Sequence, residues 1–172
     1  MTPRVRKLAL TAHVVSSVGW LGAVAAFLAL GIVGVTTHDV QLVQGVYLVA
    51  RPITWFVIVP FALASVVTGI VQSLATHWGL VRHYWVIFKL VIAVGATIVL
   101  LMYTDTVDGL ADVAARPGAD LRGLRPVTFV LHSGVALVLL LIAALLAVYK
   151  PRGMTPYGWR RQRDLRAPPA GA

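Results

Sequence analysis

Hydrophobic positions fall in four long blocks, at residues 8–35, 53–75, 84–103 and 127–149, with short polar segments between them. A helix needs about 20 mostly apolar residues to cross about 30 Å of hydrocarbon at about 1.5 Å per residue, and each block meets that length. No ten-residue alternation punctuated by turns competes with them, which argues against a β-barrel. The pattern therefore predicts an all-α membrane protein: a four-helix transmembrane bundle within residues 1–152, followed by a basic, partly disordered tail at 153–172. The first block is longer than the roughly 7–15 residues of a signal-peptide core and carries His13, Ser16 and Ser17, so it reads as a permanent helix. Residues 38–51 are apolar on one side only, and either lie at the interface or extend the second helix beyond Pro52. Residues 104–126, with four Asp and three Arg, read as a solvated loop holding a short helix around 110–115. Pro60 should bend the second helix, because it removes one backbone donor.

Composition sharpens this reading. Of 172 residues, 59% are hydrophobic and 12% charged, against about 45–50% and 25% in soluble domains. There is no Cys, which excludes thiolate nucleophiles, cysteine-ligated zinc and thioether-linked haem. The net charge of +9 sits in the flanks of the apolar blocks. Arg4, Arg6, Lys7, Arg82, Lys150, Arg152, Arg160, Arg161, Arg163 and Arg166 fall on one side, and only Arg51, Arg116, Arg122 and Arg125 on the other. Positive charge in short flanks marks the cytoplasmic face. Both termini are thus expected in the cytoplasm, in a multi-pass protein of a bacterial-type plasma membrane. The basic tail suits anionic lipid, and no nucleic-acid motif accompanies it.

Three ionisable side chains fall inside the apolar blocks: His13, Lys89 and His132. Such residues are costly in hydrocarbon and mark functional sites by default. His13 and Lys89 each lie five residues past the start of a helix that begins on the same side, so they share one depth, about 8 Å inward. His132 enters from the opposite side and should lie about 14 Å from that level. The first helix carries His13, Ser16, Ser17 and Trp20 on one stripe. The second carries Ser65, Thr68, Gly69, Gln72 and Thr76, and the third Trp85, Lys89, Ala93 and Ala96. Polar and small faces turn inward in lipid. This predicts a polar pocket built from His13, Gln72 and Lys89 with Trp20 and Trp85 as walls. His77 and His83 read as solvated residues of the hairpin, and His132 as a packed core histidine.

The run from His13 to Gly22 (HVVSSVGWLG) and the run from Trp85 to Lys89 (WVIFK) resemble the superfamily that contains the CopD-type copper-resistance domain and the HemJ-type protoporphyrinogen oxidase. The stretches VTGIVQSLATHWGLVRHYWVIFK (67–89) and VYKPRGMTPYGW (148–159) look closer still to a sister group of predicted integral membrane proteins. The resemblance implies a b-type haem held by the His of the first helix and the Lys of the third, which by position are His13 and Lys89, both acting as metal ligands. The polar pocket predicted from the helix stripes would add Trp20, Trp85 and Gln72 as further cofactor contacts. Two features depart from the named families. Residues 23–35 are wholly apolar where the HemJ type carries a Tyr, Pro and Arg cluster, and soft copper ligands are limited to Met1, Met102 and Met154.

Three functions compete on this reading. The first is a haem-binding redox or electron-transfer protein. The second is a non-catalytic accessory subunit, paired with a membrane partner or a second copy through its small-residue faces. The third is a proton or ion relay through His13, Gln72 and Lys89. Hydrolase chemistry lacks a convergent Ser, His and Asp set.

Overall fold

Capping residues set where the helices begin, and they extend two of them beyond their apolar blocks. The computed structural model describes residues 2–75, 79–118 and 127–166, with the side chains of 164–166 left aside. Helix α1 spans Pro3–Thr36, not 8–35. The Thr2 hydroxyl accepts from the Val5 amide and Pro3 occupies the first turn, a combination that starts a helix ahead of its apolar run. Asp39 opens α2 (Val40–Ile53) in the same way, its carboxylate accepting from the amides of Gln41 and Leu42 at 2.9 and 3.4 Å. The one-sided segment is therefore a helix that continues into the second span.

That second rod runs through α2, a π-helical turn at Thr54–Ile58 and α3 (Val59–Ala75). Pro52 and Pro60 bracket the π turn. Each lacks an N–H, so the carbonyls of Leu48 and Phe56 lose their helical donors. The chain answers by widening: the Val59 amide bonds five residues back to Thr54, and the Thr54 hydroxyl donates to the Ala50 carbonyl at 2.9 Å. The expected distortion at Pro60 is thus a π-bulge shared by two prolines.

Helix α4 covers Tyr84–Ala114, eleven residues beyond the expected end at 103. The first part of the expected loop is helical because its aspartates have a partner. Arg51 of α2 donates from Nε to Asp108 at 3.1 Å, from Nη2 to the Asp108 carbonyl at 2.8 Å, and to the Asp112 carboxylate. Trp55 Nε1 donates to Asp108, and Gln44 Nε2 to the Ala114 carbonyl at 2.7 Å. Val107, Ala111 and Ala114 are buried on the same face. Helix α5 occupies Val127–Tyr149, as the hydropathy predicts. Residues 119–126, the rest of the expected loop, lie outside the described residues.

All four rods, with α2 to α3 counted as one, are long and apolar enough to cross a membrane. Helix α1 packs against the second rod and α5, and α4 packs against the same two. That leaves α1 and α4 facing each other across the diagonal. Around the middle, Trp20, Phe27, Ile58 and Phe129 form the core, with Phe27 stacked on Phe129 at 4.4 Å and 21°. Gly31 makes room for that stack, since a Cβ there would stand 2.6 Å from Phe129 Cδ1. The outer faces carry Phe56 and Met102, 81% and 74% exposed, which suits contact with acyl chains.

Of the segment expected as a partly disordered tail, residues 167–172 lie outside the described residues. Residues 156–166 form helix α6 (Pro156–Arg166), docked on the segment before α4. The Thr155 amide donates to the Arg82 carbonyl at 2.9 Å and its hydroxyl to the Val81 carbonyl at 2.7 Å. The same hydroxyl accepts from the Gly158 amide at 3.1 Å, capping α6. His83 forms a backbone bridge with Met154, so the hairpin is pinned at this point. A Cβ at Gly158 would lie 2.5 Å from the Arg82 carbonyl oxygen, so only glycine permits this approach.

Candidate functional site

Across the α1–α4 diagonal, His13 Nε2 and Lys89 Nζ stand 2.9 Å apart. Both were expected at one depth, and both turn inward; His13 is 9% exposed. The other ring nitrogen, Nδ1, lies 3.2 Å from the Thr68 hydroxyl on α3. Thr68 has one hydroxyl hydrogen, and the Ala64 carbonyl, which can only accept, is 2.5 Å away. The Thr68 oxygen therefore accepts from Nδ1–H, and Nε2 is left with the lone pair that faces Lys89. A hydroxyl thus selects the imidazole tautomer from behind, as second-sphere groups do for metal-ligating histidines.

Neighbouring contacts hold the ring flat against α3. Gly69 faces it without a side chain, and a Cβ there would be 3.0 Å from His13 Cε1. Ser16 donates to the His13 carbonyl at 3.1 Å, Ser17 and Ser65 share a hydrogen bond of 2.8 Å, and Ser73 donates to the Gly69 carbonyl. The polar stripes of α1 and α3 therefore interlock, while Lys89 crosses from α4. Among the described residues no carboxylate pairs with Lys89; the ion pairs are those of Arg51 with Asp108 and Asp112.

His13, Trp20, Gln72, Trp85 and Lys89 line a single cavity of about 490 Å³. It extends toward the end of the bundle that carries the chain termini, where Leu10, Val148 and Lys150 form its rim. Among the described residues Gln72 Oε1, buried there, has no hydrogen-bond partner. Thr68 is the residue whose role the sequence pattern does not disclose. It belongs to the α3 stripe at helical spacing, but only the rotation of α3 decides that it meets His13. His132 stands apart at the other end, stacked on Tyr103 at 4.3 Å and 17°. His77, Trp78 and Thr76 lie outside the described residues.

A b-type haem places specific demands on this site. Its donors are present: an imidazole Nε2 with its lone pair directed inward, an amine at the same depth, two tryptophan walls and an orphaned acceptor. His13 and Lys89 would hold the group between them, and Lys89 would first have to draw back from its 2.9 Å contact. Its flexible four-carbon stem permits that movement. Among the described residues no cluster of three or more His, Asp or Glu offers a competing metal site. No protein-family model, curated protein or solved structure matches this chain.

Proposed function

We propose that the chain is a multi-pass plasma-membrane protein, with both termini in the cytoplasm, that binds b-type haem between α1 and α4 for electron transfer. The basic flanks support the orientation. The observation that carries the functional reading is the convergence of His13 Nε2 and Lys89 Nζ, 2.9 Å apart on the wall of a cavity of about 490 Å³.

His13 holds its Nε2 toward the cavity because Thr68 occupies Nδ1. Lys89 is the mobile partner: protonated, it donates to His13, and deprotonated, it presents a lone pair of its own. Trp20 and Trp85 exclude water from the space between them. Gln72 Oε1 offers a hydrogen-bond acceptor to whatever donor arrives. The haem, when bound, supplies one-electron chemistry that none of these side chains can perform.

Protein purified in detergent from haem-replete cells is expected to show a Soret band, lost in His13→Ala and shifted in Lys89→Met. A colourless, haem-free preparation, or a Soret band unchanged in His13→Ala, overturns the proposal.

A further inference from the structure

A second cavity, of about 350 Å³, lies toward the opposite end of the bundle, between α1, α4 and α5. Trp20 borders both cavities and separates them. Nearly all of its lining is apolar, and small residues shape one wall: Ala96 and Ala136 belong to it, and no atom lies within 4 Å of where a Cβ at Gly95 would stand. Val99, Leu131 and Val135, each more than half exposed on the outer surface, also border it. Access is therefore from the acyl-chain side.

One end of this space is polar. There Tyr103 stacks on His132. His132 Nδ1 lies 2.8 Å from the Thr128 carbonyl, which can only accept, so in the neutral ring Nε2 is an acceptor. Among the described residues the buried Tyr103 hydroxyl makes no hydrogen bond of good geometry, with the Thr128 side chain beside it. A buried hydroxyl with no good acceptor is costly, and a ligand carbonyl would relieve it. An acceptor and an idle donor thus sit side by side at the end of a flat, apolar, lipid-accessible slot.

We propose that this cavity is a binding site for a lipid-soluble quinone, its ring against Gly95 and Ala96 and one of its oxygens at the end formed by Tyr103 and His132. In the oxidised form the quinone carbonyl accepts a hydrogen bond from the Tyr103 hydroxyl, and in the reduced form the hydroquinone hydroxyl donates one to His132 Nε2. Ligand pockets of this kind are mostly apolar with a few convergent polar groups. The site does not require a metal at His13, so it stands or falls independently of the haem reading.

The test is titration of purified protein in detergent with decylubiquinone, read by quenching of tryptophan fluorescence, with Trp20→Phe identifying the reporter. Saturable quenching is expected, with the apparent Kd raised at least tenfold in Gly95→Leu and raised severalfold in Tyr103→Phe. Ala136→Leu provides a second way of filling the slot, and far-UV circular dichroism verifies that each variant is folded. Non-saturating quenching, or quenching identical in wild type and both filled variants, shows partition into the micelle only and overturns the proposal.

Discussion

Thr68→Val is the sharpest probe of the site, because valine keeps the shape of threonine while deleting its oxygen. In the wild type that oxygen accepts from His13 Nδ1–H at 3.2 Å and donates to the Ala64 carbonyl at 2.5 Å. Without it, Nδ1–H is left in a residue only 9% exposed with the Ser65 backbone as its remaining acceptor. The cost is bounded by the about 1–3 kcal/mol of a fully unsatisfied donor, equivalent to a population shift of about 5–150-fold. The imidazole avoids the cost by moving its proton to Nε2, and the Lys89 contact is then lost or inverted. Nitrogen-15 NMR of histidine-labelled protein in micelles reads the tautomer directly, with the His13 signal assigned from its absence in His13→Gln. Wild type should show Nδ1–H, Thr68→Val predominantly Nε2–H, and Thr68→Ser the wild-type pattern. Should Thr68→Val retain Nδ1–H, the reasoning that a single hydroxyl orients this ring is wrong.

Two further predictions concern the ends of the bundle. Gly158→Ala drives a methyl group into the Arg82 carbonyl, an overpacking worth about 1–3 kcal/mol; α6 should undock, and trypsin should cleave at Arg160 and Arg161 markedly faster than in wild type. Unaltered cleavage would mean that α6 is not held by this contact. Arg51→Ala removes the clasp on Asp108 and Asp112, but solvent screening of these partly exposed groups keeps its worth small. A small fall in melting temperature is expected, shrinking as salt is added, and a large salt-independent fall would contradict the clasp's surface character.

Four apolar rods, their approximate centres and the common depth of His13 and Lys89 follow from the sequence by itself. Each depends on quantities summed along one helix: hydropathy against bilayer thickness, and rise per residue. The end of α4 shows where such sums stop. Asp108 and Asp112 look like loop residues until Arg51 of α2 and Trp55 of the π turn are placed opposite them. Likewise the basic composition of α6 says nothing of its anchorage, which rests on backbone carbonyls at Val81 and Arg82. Tertiary structure alone decided that α1 and α4 lie on a diagonal, that Thr68 turns toward His13, and that Tyr103 stacks on His132. Those pairings depend on how each rod is rotated about its axis. That rotation is set by packing with neighbours, Phe129 against Gly31 among them, and no periodicity within a single helix encodes it.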